Sequence, residues 1–198
     1  MRPVHEFAYV QARLQARHGL RPQEADWRAL DGARTLANHL ERARSVMPRE
    51  WTDRLDPSLS SHAVEATLRR VAVHVVDEVA RWMPAAWRPA LRWMALLPAL
   101  PFVAAALRQD PLPLWADVEP WAAPLLGLDP AGRRAVLSTT VAAPLLDALS
   151  GADDPGIAWV AHWRRTWPAG AETDPQLADL ADVVARCHKA LAEYEAIM

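Results

Sequence analysis

Residues 61–83 read SHAVEATLRRVAVHVVDEVARWM, and this stretch is the strongest indication of the fold class. Its apolar side chains recur at steps of three and four residues, which is the spacing of one face of an α-helix. Ser60 or Ser61 stands in front of the run and is a favourable helix N-cap. We therefore predict a long helix to about Met83 that lies at the centre of a helical bundle. Its core face comprises Val64, Leu68, Val71, Val75, Val79 and Trp82.

Helical spacing extends outward from this stretch in both directions, without the period-two alternation that is typical of strands. Towards the N-terminus we predict helices over 3–18, from Pro22, and from Asp31 as N-cap to Pro48. Towards the C-terminus, prolines divide the chain into short helices, because proline lacks a backbone N–H and clashes with the preceding turn. Helices are expected there near 114–126, 130–149 with a kink at Pro144, 155–167 and 174–197. The predicted fold class is all-α: a compact multi-helix bundle with Pro-punctuated helices and no sheet.

The bulk composition is that of one soluble domain over 1–198, with 109–113 (QDPLP) as the candidate linker for a subdivision. Hydrophobic residues make up 52% and charged residues 23%, so the chain can bury a core without staples. The net charge of −2 argues against nucleic-acid binding. The uncharged run 93–107 would span about 22 Å as a helix, short of the roughly 30 Å hydrocarbon core. We expect it to form a buried core helix or helix pair, and we expect a cytoplasmic location.

Recognisable catalytic and metal-binding patterns are absent from the sequence. His74, Asp77 and Glu78 share one helix face, but such a face binds a metal only when another helix supplies more ligands. No Glu-x-x-His pair is present to supply them. Cys187 is the single cysteine, so an intrachain disulfide is excluded, and its apolar stripe favours an inert core thiol. We therefore expect no catalytic residue, no metal and no cofactor, and we predict a protein that is not an enzyme.

Tryptophan is common, with ten residues, and three of them form a stripe at helical spacing. Trp159, Trp163 and Trp167 lie at i, i+4 and i+8, beside His162 and two arginines. The large apolar body and polar tip of Trp suit a ligand pocket or a protein interface. Packing in the core is the favoured interpretation, and an interface is the next.

The last helix carries the sharpest pattern in the chain, a heptad seam over three heptads. The seam comprises Leu177, Leu180, Val184, Cys187, Leu191, Tyr194 and Met198. Such a seam pairs with a partner helix, with a second copy of the chain as a homo-oligomer, or with its own bundle. Packing on its own bundle is the favoured interpretation.

The N-terminal segment 7–17, FAYVQARLQAR, resembles the opening of the C/d family of central-stalk proteins from archaeal (A-type) and vacuolar (V-type) rotary ATPases. The segments 27–37 and 55–60 are similar to the parts of that family that follow, so the resemblance covers about the first 80 residues. Gln11 stands where the family usually has Asn, and Gln15 where it usually has a basic residue. Members are usually much longer than this chain, and the family's central helix motif is not visible here.

The resemblance implies a non-catalytic socket that sits on the membrane ring of the rotor and receives the central axle. Its partners would be the rotor and stalk subunits of a rotary ATPase, and its membrane contact would be peripheral, through that complex. Tyr9, Arg13 and Arg17 lie along one side of the first helix, off its apolar stripe, and become candidate contact residues. Arginine makes planar, multi-donor contacts with carboxylates on a partner.

Three functional hypotheses follow from these observations. The leading one is an assembly or coupling subunit of a rotary ATPase, involved in ion transport at the cytoplasmic face of the membrane. The alternative is a stand-alone helical binding protein with a Trp-lined apolar pocket. The third is an enzyme whose site is assembled from scattered residues such as His74, Asp77, Glu78 and His162, which would require these groups to converge in a cleft.

Overall fold

The computed structural model describes residues 4–108, 110–112 and 119–197, and none of these residues lies in a strand. The predicted all-α fold class is therefore confirmed over the described ranges. Short 3-10 turns separate several of the helices. The α-helices are α1 (Val4–His18), α2 (Glu24–Asp31), α3 (Leu36–Val46), α4 (Arg49–Thr52), α5 (Ser61–Trp82), α6 (Arg88–Met94), α7 (Leu100–Arg108), α8 (Pro130–Leu137), α9 (Ala143–Leu149), α10 (Pro155–Arg165) and α11 (Pro175–Ile197).

Side-chain caps set where two of the N-terminal helices begin. Ser60 Oγ accepts a hydrogen bond from the backbone N–H of Ala63 at 3.2 Å, so Ser60 is the N-cap of α5, as its sequence position predicts. Thr35 Oγ1 accepts from the N–H of Asn38 at 3.2 Å and starts α3. The prediction of Asp31 as the N-cap of α3 is wrong, because Asp31 is the last residue of α2.

Two further boundaries differ from the sequence-based expectation. The helix α2 begins at Glu24 rather than at Pro22. The segment 130–149 forms two separate helices rather than one kinked helix, with a turn over 138–142 between them. Pro144 lies in the first turn of α9, where its missing N–H costs nothing because that group would have no intrahelical partner. Proline therefore begins a helix here instead of bending one.

The centre of the main core is α7 rather than α5. Six of the nine residues of α7 are buried, including Leu100, Phe102 and Val103, which are fully buried. The helix α5 buries only Ala66, Thr67, Val71 and Ala80, and its other apolar side chains are half-buried. The predicted central position of α5 is therefore wrong: α5 lies at the edge of this core and is covered on its other side by α1 and α4.

One hydrophobic core joins residues on both sides of the candidate linker 109–113. Trp93 and Phe102 precede that segment, and Leu137 and Trp159 follow it, yet all four belong to the same buried cluster. Residues 109 and 113–118 lie outside the described ranges, and so do the first five residues of the helix expected over 114–126. The described remainder of that helix contains a 3-10 turn at Ala123–Leu125.

The apolar stretch Ala85–Arg108 is the one described segment that is long and apolar enough, by length and composition, to cross a membrane. Its most apolar window has a mean hydropathy of 1.7, and half of that window is buried inside the fold. The helices α6 and α7 and two 3-10 turns divide this stretch. The expected helix pair is therefore present, and it contributes Trp93 and Phe102 to the core.

The described part of the C-terminal seam packs partly on its own bundle. Leu177 and Val184 lie against the core, together with the fully buried Ala181. Leu180 is exposed instead, because Ala181, four residues after Leu177, lies nearer the middle of the helix stripe. The side chains of the remaining seam positions, Cys187, Leu191, Tyr194 and Met198, lie outside the described part of the chain.

Candidate functional site

The tryptophan stripe lies in the core. Trp159, Trp163 and Trp167 are 1%, 4% and 8% exposed, and Trp167 lies just after α10, which ends at Arg165 instead of residue 167. The indole Nε1 of Trp163 donates to the carbonyl of Ala90 at 3.1 Å, and that of Trp93 donates to the carbonyl of Trp159 at 3.1 Å. These two bonds tie α10 to α6 in both directions. The stripe is thus core packing in this fold and presents no open surface to a ligand or partner.

His162 lies beside this stripe but makes a different contact. Its ring stacks on Trp93, with centroids 4.2 Å apart and an interplanar angle of 20°. Desolvation by burial lowers the pKa of His162 from its ordinary value of 6.5, and the neighbouring Arg165 lowers it further, while Asp147 acts in the opposite direction. The fold therefore favours the neutral imidazole, which suits a ring that packs face to face on an indole.

Arg17, one of the residues singled out by the resemblance, joins α1 to α5 and α4. Its Nη2 donates to Glu78 Oε2 at 2.6 Å and lies 3.2 Å from Glu50 Oε2. Its guanidinium also lies 4.9 Å from the ring centroid of Trp82. The side chain is 24% exposed, so its contacts are made within the chain.

Arg13 and Tyr9 lie on the same helix as Arg17 but closer to solvent. The Arg13 guanidinium lies 4.2 Å from the Trp82 ring centroid, which is the geometry of a cation–π contact. Arg13 Nη1 donates to the Tyr9 hydroxyl at 2.7 Å. Tyr9 is 57% exposed. Of the three candidate partner-binding residues, Tyr9 therefore offers the most open surface.

The scattered acid and base groups do not converge. Glu78 contacts α1 through Arg17, whereas Asp77 lines a cavity and His74 is exposed. His162 stacks on Trp93 within the α6–α10 contact. Among the described residues, no group of three or more His, Cys, Asp or Glu side chains is placed to hold a metal ion.

A cavity of about 520 Å³ opens between α5, the segment 95–99 and the turn at 119–121. Its volume falls within the roughly 300–1,000 Å³ of small-molecule sites. The wall is mostly apolar, and one aromatic ring, Trp121, contributes to it. The apolar wall includes Val73, Leu96, Pro98, Ala99, Pro120 and Trp121.

Packing behind the wall fixes the Trp121 ring. The ring meets Phe102 edge to face, with centroids 5.1 Å apart and an interplanar angle of 83°. Phe102 is fully buried in α7. Edge-to-face pairs of this kind contribute beyond simple area burial. The wall of the cavity is therefore anchored in the main core.

An ion pair closes one side of the cavity. Glu119 is only 4% exposed, and its Oε1 accepts from Arg70 Nη1 at 2.6 Å. Arg70 also donates to Thr67 Oγ1 at 3.2 Å. A buried carboxylate without a partner would be costly, so this pair holds the 119–121 turn against α5.

Three further charged side chains line the cavity. Arg69 is engaged by Glu65 at 2.5 Å and by the carbonyl of Pro98. Arg92 and Asp77 are both exposed and border the opening to solvent. Neither forms an ion pair with a residue in the described part of the chain.

Sequence reasoning did not single out Trp121, Glu119 or Arg92. The Arg70–Glu119 pair joins positions 49 residues apart, and no local spacing encodes such a contact. The sequence contains only a weak indication of this site, namely a carboxylate followed by Pro-Trp at the end of a proline-rich segment. No family model matches the chain, and no curated protein or solved structure is significantly similar to it.

Proposed function

We propose that this protein binds an apolar small molecule in the cavity between α5 and the 119–121 turn. The observation that carries the proposal is the size of that cavity together with its apolar wall. Apolar surface in contact with water costs roughly 25 cal/mol per Å², so a ligand that covers this wall gains affinity from burial. The aromatic part of the wall is Trp121 rather than the tryptophan stripe, which the sequence had suggested for such a pocket.

The cavity is held open by rigid parts of the chain. Pro98 and Pro120 restrict the backbone on two sides, and Arg69 binds the carbonyl of Pro98 from α5. Trp121 rests on the buried Phe102. A wall fixed in this way loses little conformational entropy when a ligand binds, which favours affinity.

A neutral fluorescent probe tests the proposal without involving charge. N-phenyl-1-naphthylamine should bind the full chain with an increase in its emission, because the dye leaves water for an apolar site. Ala99→Trp fills part of the cavity and should weaken binding at least about tenfold, since it removes the space for the probe. The affinity is measured by fluorescence titration at fixed protein concentration.

The matched control is Ala161→Trp, which adds the same side chain at an exposed position of α10 that does not line the cavity. Both variants are compared by circular dichroism so that loss of fold is recognised. Equal probe affinity in Ala99→Trp, Ala161→Trp and wild type would show that the dye binds elsewhere and would refute the cavity as the site.

As a second candidate function, we propose the coupling subunit of a rotary ATPase, which the N-terminal resemblance implies. The observation that favours it is a concentration of exposed apolar side chains in the first 36 residues. These side chains are Tyr9, Leu14, Leu20, Trp27 and Leu36. A contiguous exposed apolar patch is typical of a protein interface, and we propose that these side chains contribute to one.

A pull-down from native membranes in mild detergent tests this second candidate. Wild type should recover rotor and stalk subunits, and Tyr9→Ser/Leu14→Ser should recover at least about fivefold less, because apolar contact area is lost. The control is Leu126→Ser/Ile157→Ser, a pair of apolar residues outside the N-terminal segment that is at least as exposed. Recovery of no rotary-ATPase subunit by wild type would rule the coupling role out.

A further inference from the structure

We propose that the ligand of this cavity is an amphipathic anion: an apolar body that fills the cavity and a carboxylate that binds Arg92 at its opening. This inference rests on the proposed binding function and adds the chemical class of the ligand. It follows from which charged groups around the cavity are already engaged and which are not.

Two of the three arginines that line the cavity are committed within the chain. Arg69 binds Glu65 and the Pro98 carbonyl. Arg70 neutralises the buried Glu119 at 2.6 Å. The side chain of Arg92 is exposed and has no hydrogen bond or ion pair with any residue of the described ranges. The described residues therefore leave all of its guanidinium donors available to a ligand.

The chemistry of a guanidinium selects the ligand group. Its planar array of N–H donors matches the two oxygens of a carboxylate and forms two parallel hydrogen bonds. Arg70 is 48% exposed and uses two contacts on Glu119 and Thr67, so it retains donors on the same side of the cavity. Arg92 therefore carries the unpaired positive charge of the cavity lining, and Arg70 adds hydrogen-bond donors to it.

Asp77 is the opposing charge at the opening. It is exposed, and it forms no ion pair with a described residue. Its carboxylate would weaken the binding of an anion and strengthen that of a cation. Its side chain is short and stays near α5, whereas the long Arg92 side chain can follow the ligand head group. Asp77 therefore provides a second, opposite test of the sign of the ligand charge.

Three probes with the same ten-carbon chain separate charge from apolar burial: decanoate, 1-decanol and decylammonium. Binding to the full chain is measured by isothermal titration calorimetry at neutral pH, below the aggregation concentration of each probe. We expect decanoate to bind about fivefold more tightly than decanol, the effect of one solvent-exposed charge pair. Decylammonium should bind more weakly than both.

Single substitutions show which residues cause the difference in affinity between decanoate and decanol. Arg92→Gln should reduce decanoate affinity to that of decanol and leave decanol unchanged, about a fivefold loss for the anion alone. Asp77→Asn should raise decanoate affinity about twofold, because a like charge is removed. The control, Arg134→Gln, removes an exposed arginine of α8 that does not line the cavity and should change neither affinity.

The possible outcomes separate this inference from the function on which it rests. Decanol bound as tightly as decanoate, or decylammonium bound most tightly, overturns the anionic ligand while the binding function stands. Binding of the neutral naphthylamine probe without binding of decanoate also overturns it. Failure of all four molecules to bind removes the binding function itself.

Discussion

Replacing Trp163 by alanine is expected to lower the free energy of unfolding by about 3–5 kcal/mol, the usual cost of removing a large buried aromatic side chain. Trp163 is 4% exposed and lies between the rings of Trp159 and Trp167, with centroids 5.7 and 5.3 Å away. The substitution also removes the donor to the Ala90 carbonyl and with it one link between α10 and α6. Urea unfolding followed by circular dichroism measures the loss.

Two comparison variants divide this loss into its parts. Trp163→Phe keeps an aromatic ring but lacks the N–H, so it should cost less than Trp163→Ala and report the hydrogen bond and the lost volume. Trp27→Ala removes a tryptophan that is 50% exposed and should cost less than about 1 kcal/mol. A Trp163→Ala variant no less stable than Trp27→Ala would contradict the buried tryptophan stripe.

Replacing Phe102 by alanine is expected to cost about 3–5 kcal/mol as well, because the side chain is fully buried in α7. The second consequence concerns the cavity. Phe102 supports the Trp121 ring at 5.1 Å, so its removal should free that ring and weaken binding of the neutral naphthylamine probe. Chemical unfolding measures the first effect, and fluorescence titration under native conditions measures the second.

The chain offers a natural control, since it contains only one other phenylalanine. Phe7 is half-buried and meets Trp87 edge to face at 6.3 Å, far along the chain from the cavity wall. Phe7→Ala should cost about 1 kcal/mol, the scale of one aromatic pair, and leave probe binding unchanged. Equal losses from the two substitutions would mean that α7 is not the centre of the core.

The tryptophan stripe shows what helical periodicity can predict and what it cannot. Spacing at i, i+4 and i+8 predicted three indoles on one helix face, but α10 ends at Arg165, so only Trp159 and Trp163 lie on the helix, and the buried Trp167 follows its C-terminus. Periodicity does not say what covers that face. In the structure α6, more than 60 residues earlier in the chain, packs against that face. Trp163 donates a hydrogen bond to the Ala90 carbonyl, and Trp93 donates one to the Trp159 carbonyl.

The helix termini show the same limit at short range. The sequence predicted Ser60 or Ser61 as the N-cap of α5, and Ser60 is the cap; this much was predictable because a cap is a local contact between a hydroxyl and an N–H three residues later. Asp31 has the same chemistry but ends a helix, because Thr35 caps the next one. When two residues near a helix start can both act as its N-cap, the backbone conformation between them determines which one does.

Local sequence patterns were enough to predict that the described chain is helical, that the long α5 begins near Ser60, and that the run 93–107 forms a core helix or helix pair. Tertiary packing was needed to establish that α7 is central, that Arg17 pairs with Glu78, and that Glu119 pairs with Arg70 beside an apolar cavity. The two ion pairs join residues 61 and 49 positions apart. Contacts at such separations depend on how helices pack against one another, and helical periodicity does not contain that information.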